Sequence, residues 1–371
     1  MIYSLIHRTL WAALCALNVG CHPSGASLPG RSDDGGSDNS DAGAGGTSVT
    51  DHPALGTTTN TVYHLGLGSQ SAVYSVAVDD KNLYWGGVGL TQASKSGVGD
   101  RVVLATSATG VFVIRPATDW IYWIDDGALA RVQKFGIDIA GETLQRIELA
   151  GISVLQRTNP EPERVSFSAG AAETLFIEGE TVYVATAGCG AVIRYEPSTF
   201  TQTVVKAPVV VTHSTGLTYL LRHGEDIYCG AWNRVFRLHG FDKMEELTSS
   251  AVRIAGLAVS SDRLYWLDKL SSASDNSNGQ VWTLDDRGRP TKLADILTSI
   301  GSTEVYVDTP RNRLVWVDTA IVDFHTGDNS FRIWKHSSFM NGGSAHDADY
   351  LYWARSTMSF GTIERIRFDE P

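Results

Sequence analysis

The sequence predicts an all-β fold, a seven-bladed β-propeller of four-stranded antiparallel blades closed by an N-terminal strand. Three observations lead there. A short apolar triplet recurs seven times, as Leu83-Tyr84-Trp85, Ile121-Tyr122-Trp123, Val182-Tyr183-Val184, Ile227-Tyr228-Cys229, Leu264-Tyr265-Trp266, Leu314-Val315-Trp316 and Leu351-Tyr352-Trp353. Self-similarity of this kind sets an architecture before any single residue does. Around the triplets lie further short strand-like stretches joined by turn residues, four to a unit in the fuller copies. Within each triplet three large apolar residues are adjacent, although successive strand residues point to opposite faces. Both faces must therefore be buried, which a small antiparallel sheet achieves when it is sandwiched between copies of itself. Six- and eight-bladed rings and a two-sheet sandwich are the alternatives to this reading.

Taken in chain order, residues 1–21 read as a signal peptide. His7 and Arg8 precede an apolar run from Leu10 to Val19, too short to span a bilayer but suited to a signal-peptide core. The end, Gly20-Cys21, is similar to a bacterial lipobox, which implies lipidation of Cys21. Leu17 sits one place early for that motif and Asn18 occupies the preferred leucine position, so a plain secretory signal is the alternative. Residues 22–55 are rich in Ser, Gly, Asp and Ala. With almost nothing to bury, they form a disordered linker that cannot offset chain entropy. The propeller is expected over 56–371.

In the blades, the unit is best seen at Leu257-Ala258-Val259, Leu264-Tyr265-Trp266, Gln280 to Leu284 and Pro290 to Ala294, strands a to d. Blade two repeats it with Val111-Phe112-Val113, Ile121-Tyr122-Trp123, Leu129 to Val132 and Gln145 to Leu149. The triplet ends, at 85, 123, 184, 229, 266, 316 and 353, are 38, 61, 45, 37, 50 and 37 residues apart. Such spacing suits four-stranded blades. The seventh copy reaches strand c at Thr362 to Phe368 and then the sequence stops, while Asn60 to Leu65 is a spare strand before blade one. Pairing of that strand onto the last blade would close the ring. The triplets, the Asp two places after the Trp in three of them (Asp125, Asp268, Asp318) and the later strand together resemble YWTD-type and NHL-type propeller repeats. That resemblance implies a fold and is unspecific for function. Similar repeats occur in bacterial surface lipoproteins.

Two of the four cysteines, Cys15 and Cys21, belong to the leader. Cys189 and Cys229 remain for the folded part and lie in consecutive repeats. A disulfide between them and two separate buried thiols both stay open.

A formal charge of −11, with no local Lys/Arg cluster, excludes a nucleic-acid partner, because phosphate binding needs a basic face. The long connections fall on b–c loops of blades five, six, seven and one, at Lys269–Gly279, Thr319–Ser330, Ala354–Gly361 and Gly86–Asp100, with a d–a connection at Gly151–Arg164. Long loops on a rigid scaffold are common binding elements. A ligand-binding surface is therefore expected at Asp275, Asn276 and Asn278 in one loop and Asp323, Phe324, His325 and Asp328 in another. The alternative is plain surface insertion. His346, on strand a, is expected to line the channel or to be satisfied by backbone. His213 carries no nucleophile motif beside it. Asp275 to Gly279 lacks the acidic residue that closes a calcium loop, so neither a metal nor a cofactor is assigned. Asp79-Asp80 and Asp285-Asp286 fit tight turns.

Two function classes follow. The first is a non-enzymatic binding or scaffold domain, monomeric, exported to the bacterial cell envelope and lipid-anchored in the outer membrane or periplasm, or secreted. It would contact an envelope protein, a peptide or a glycan, and meet membrane only through the lipid. The second is a lyase- or lactonase-type propeller enzyme with its site at the channel mouth.

Overall fold

The computed structural model describes residues 60–66, 73–87, 89–107, 110–134, 144–149, 152–157, 162–208, 218–249, 253–260, 263–269, 279–285, 288–296, 305–317, 320–336, 343–356 and 361–367. The leader with Cys21, the linker, His213, Asp318 and the triad Asp275, Asn276 and Asn278 lie outside them.

Among the described residues thirty strands form seven sheets, with almost no helix. The first, β1 (Asn60–Gly66), precedes blade one, which runs β2 (Ser75–Val78), β3 (Asn82–Gly86), β4 (Gly89–Ser94) and β5 (Val102–Thr106). Blade two begins β6 (Phe112–Pro116), β7 (Trp120–Asp125) and β8 (Ala128–Gln133). A hairpin of β9 (Leu144–Leu149) and β10 (Ile152–Arg157) follows, and β11 (Glu163–Val165) then completes the blade. Blade three is β12 (Ala172–Glu178), β13 (Thr181–Thr186), β14 (Ala191–Glu196) and β15 (Thr201–Lys206). Blade four is β16 (Thr218–His223), β17 (Asp226–Ala231), β18 (Arg234–His239) and β19 (Lys243–Ser249). Blade five is β20 (Arg253–Ser260), β21 (Arg263–Lys269), β22 (Gly279–Leu284) and β23 (Pro290–Ile296). Blade six is β24 (Val305–Asp308), β25 (Arg313–Val317), β26 (Ala320–His325) and β27 (Ser330–His336). Blade seven takes β28 (Ser344–His346), β29 (Tyr350–Ser356) and β30 (Gly361–Arg367), the last three described strands, together with β1, the first. The closing pair is antiparallel, with Asn60 opposite Arg365 and Gly66 opposite Gly361.

Several expected boundaries move. Strand d of blade two is Glu163–Val165, paired with β8, and not Gln145 to Leu149. That stretch belongs to the hairpin, which leaves blade two between strands c and d and docks on blade one. There β10 pairs with β5 in parallel, Leu155 opposite Val102, extending that sheet to six strands. The expected d–a connection 151–164 is thus mostly strand. The expected long b–c loops of blades one and six also contain strands, because β4 and β26 are the missing strands c. Their b–c connections shrink to two residues. Blade two joins strands b and c by a two-residue turn, with Asp126 and Gly127 both at positive φ, as such a hairpin loop requires.

What holds the ring together is a division of labour within strand b. The buried apolar residues separate into seven clusters, each spanning one seam between neighbouring blades. The centre of each triplet enters the seam with the following blade, and its two flanks enter the seam with the preceding one. Tyr84 packs with Ile121 and Trp123, whereas Leu83 and Trp85 pack with Tyr352 and Ala354. Likewise Tyr265 meets Leu314 and Trp316, and Val315 meets Leu351 and Trp353. Trp123, Trp266, Trp316 and Trp353 are all buried. Removing such a side chain costs about 3–5 kcal/mol.

Blades three and four carry Val184 and Cys229 where the other five have Trp. Cys229 faces blade three, and its sulfur is bonded to Cys189, which sits in a one-turn 3-10 segment after β13. A covalent bond therefore stands in the seam where the indole is missing. The cysteines are separated by 40 residues, and closing a loop of that size restricts the unfolded chain by about 4 kcal/mol in the entropic account.

Polar staples repeat beside the apolar ones. In blade one the Asp79 carboxylate accepts from the backbone N–H of Lys81 and Asn82 at 2.9 and 2.8 Å and from the Tyr84 hydroxyl at 2.7 Å. It also accepts from Lys134 of blade two at 2.6 Å. Blade seven repeats the arrangement. Asp347 accepts from the N–H of Asp349 and Tyr350 at 2.9 and 2.8 Å, from Tyr352 at 3.1 Å and from Lys95 of blade one at 2.9 Å. Burial alone would raise both carboxyls. Their hydrogen bonds outweigh it and hold each below the ordinary carboxylate range. The same contacts, after burial, push the Tyr84 and Tyr352 phenols up. Between inner strands Ile114 N–H donates to Ser75 Oγ at 3.1 Å, Tyr219 to the Ala255 carbonyl at 2.7 Å, and Tyr306 and Ser344 share a 2.7 Å bond.

Replacing both Cys189 and Cys229 by alanine should lower the urea midpoint by the equivalent of about 2–4 kcal/mol. Reductant should shift the wild type in the same direction, and identical midpoints with and without reductant would contradict the account. Because Asp79 and Asp347 have depressed folded pKa values, their stabilisation is full above the unfolded value near 4 and is lost as pH falls below it. The double change to asparagine should therefore flatten the acid limb of the stability curve below about pH 5, measured by denaturant titration.

Candidate functional site

Strands a line the centre, and the d–a and b–c connections share one face while the a–b and c–d connections share the other. The predicted site residues that are among the described ones are not gathered on the first face. Asp323 and Phe324 are not in a loop at all. They lie in β26, both fully buried, with Phe324 in the core of the seam to blade five. Asp323 accepts from Arg313 at 3.0 Å, and the same guanidinium reaches Asp308 at 2.6 Å, so the carboxylate is committed to a buried ion network. His325 ends β26, 3.5 Å from Asp323, and Asp328 caps the following turn by accepting from the Ser330 N–H and hydroxyl at 3.1 and 2.7 Å. Both belong to the a–b/c–d face. His346 ends β28 on that face as well, exposed, with Nδ1 3.2 Å from the Asp347 carbonyl and its ring edge-on to Tyr306 at 4.6 Å.

A different constellation stands on the d–a/b–c face at the channel mouth of blades one and two. Tyr74 precedes β2 and Phe112 opens β6. Their rings stack with centroids 5.0 Å apart and planes 27° from parallel. Tyr74 is 45% exposed, one of the few large hydrophobics so placed among the described residues, and Phe112 is half-buried.

The backbone that presents this pair is fixed from several sides. Tyr74 N–H donates to the Gly86 carbonyl at 2.7 Å, and Val111 N–H to Gly87 at 3.1 Å. Gly110 has φ +100°, and a Cβ there would lie 3.1 Å from the Tyr74 ring and 3.2 Å from the Phe112 ring. Its N–H donates to Ser107 Oγ at 3.0 Å, and that hydroxyl reaches the Asp125 carboxylate, also at 3.0 Å. Asp125 is buried and paired with half-exposed Arg164 of β11 at 2.6 Å. Immediately after Phe112 the strand bulges, so that Phe112 faces Ile124 but Arg115 already faces Tyr122. Inside the bulge Val113 has φ +51°, a conformation costly for a β-branched residue. Bulges re-aim side chains next to functional sites, and backbone strain concentrates there.

The sequence pattern does not set Tyr74, Gly110 or Arg164 apart, and it places Phe112 only in a strand. The usable signal was an aromatic at the mouth of strand a in two consecutive units, visible only once strands a are assigned. Asp125 had been noted for its place after a Trp, and it supports the aromatic pair through Ser107. Asp268, its counterpart in blade five, is buried too. No cluster of three metal-ligating side chains occurs among the described residues.

No family model matches this chain, and no curated protein matches it in sequence. Solved structures do share its fold. The CNH domain of AfRom2 superposes with a TM-score of 0.58 at 10% identity, over 84% of this chain and 100% of that one. U3-55K gives 0.58 at 9% identity, over 84% and 98%. A chain described as the extracellular domain of a one component system, BT4673, from B. thetaiotaomicron gives 0.53 at 13% identity, over 82% of this chain and 39% of that one. The architecture is that of a β-propeller. Identities this low carry the fold alone. Among the described residues no helix is long and apolar enough to cross a membrane.

Gly110→Ala should destabilise the domain by about 1–3 kcal/mol, through the strain of an alanine at positive φ and the displaced rings. Thermal melts would measure the loss, and near-UV circular dichroism should show the Tyr74 environment change.

Proposed function

We propose that this chain is an exported, lipid-anchored binding or scaffold propeller that contacts a protein, peptide or glycan at the cell envelope. The observation that carries the reading is the exposed Tyr74–Phe112 pair on a strained, many-times-anchored backbone at the channel mouth. Exposed aromatics held rigidly offer contact area at little entropic cost on association. The Cys189–Cys229 bond supports an oxidising compartment. The apolar run ending at Cys21 supports lipid attachment, and the triplets, mostly tyrosine-centred and ending in tryptophan, support a YWTD- or NHL-like repeat.

Expressed in a bacterial host with labelled palmitate, the full chain should carry the label and fractionate with membranes, while Cys21→Ser should do neither. Capture of envelope components by the purified propeller should yield a saturable partner. An unlabelled wild-type chain would remove the anchor, and the absence of any saturable partner would remove the binding role.

A further inference from the structure

The rim of the channel at the d–a/b–c face is built from the first residues of successive inner strands. Blades one, two and three contribute Tyr74, Phe112 and Glu173 in turn, because β2 neighbours β6 and β6 neighbours β12. Two stacked aromatic rings are thus followed around the rim by a half-exposed carboxylate. Glu173 is held in place, its Oε2 accepting from the Thr218 hydroxyl of blade four and from the Gly188 N–H at 3.3 Å. Aromatic faces carry negative quadrupole potential and attract cations within about 6 Å. Glu173 adds a negative charge one inner strand farther along the same rim, and a chain of net charge −11 draws cations toward the rim from farther away.

We propose that the Tyr74–Phe112 rim receives a cationic side chain, arginine above all, from a basic segment of a protein partner. The proposal rests on the binding-domain reading and names its partner chemistry. Arginine fits because its planar, weakly hydrated guanidinium stacks on an aromatic face while leaving N–H donors for a carboxylate. The fixed backbone explains why the site is made from inner-strand positions. Gly110 lets the two rings lie against the main chain, and the Val113 bulge sets the direction of Phe112. A cation meeting rings already in position loses little additional freedom.

The test uses the purified chain with its disulfide intact and three probes: a five-residue arginine–glycine peptide, the same peptide with neutral citrulline for arginine, and a neutral cello-oligosaccharide. Binding is followed by calorimetry and by shifts of the Tyr74 and Phe112 ring signals in NMR spectra. The arginine peptide should bind saturably, more weakly as salt rises, and roughly tenfold more tightly than the citrulline peptide. Tyr74→Leu and Phe112→Leu should each lose about that factor, while Phe112→Trp, which keeps a ring, should retain binding. Should a leucine variant fail to fold, the wild-type ring shifts and the citrulline comparison still decide. Equal binding of both peptides, ring shifts caused by the sugar alone, or no saturable binding would each overturn the proposal. Undiminished capture of an envelope partner by Phe112→Leu would also overturn it, and would leave the binding-domain reading standing.

Discussion

Every seam of this ring depends on one constraint: strand b must be apolar on both faces, because each face is an interior. The alternation of a strand sends its central residue one way and its two flanks the other. A single triplet thereby stitches three consecutive blades together. Tyr352 reaches forward into blade one while Leu351 and Trp353 reach back into blade six. No blade has a core of its own, so a defect at one triplet is felt in two seams, in keeping with nearest-neighbour coupling in repeat architectures.

The central tyrosines of these triplets carry hydroxyls that need partners, and the solution recurs. A tyrosine centre brings its hydroxyl to an aspartate that also ties the a–b turn and, in two seams, receives a lysine from the next blade. Blade three varies the theme, with Arg222 of blade four bonded to both Tyr183 and Glu178. Blade six has valine at the centre and needs no such partner. Its polar content is instead the buried Asp308–Arg313–Asp323 network.

These interactions explain what was legible in the residues alone. Blade number, triplet burial and closure by Asn60 to Leu65 follow from periodicity and from a missing final strand, both of which are local patterns. Short strands c were not legible. Gly89–Ser94 and Ala320–His325 look like loop because glycine, serine, threonine and aspartate dilute their apolar residues, and pairing to strand b makes them strands. The hairpin inserted between strands c and d of blade two is hidden for a similar reason. Its apolar pattern suits a strand d, and only its docking on β5 shows that another segment took that role. The aromatic rim escaped notice because Tyr74 and Phe112 lie 38 residues apart in sequence and meet only when the inner strands stand side by side.

Blade seven and the disulfide have a joint mechanical meaning. Blade seven is assembled from the first and the last three strands of the propeller, so hydrogen bonds between β1 and β30, rather than a peptide turn, clasp the circle there. Counting three blades in either direction from that clasp leads to the boundary of blades three and four, where Cys189 is joined to Cys229. The covalent link thus sits diametrically across from the non-covalent latch. If the latch slips, blades one to three and blades four to six, the latter still carrying β28 to β30, stay joined by a covalent bond on the far side of the ring.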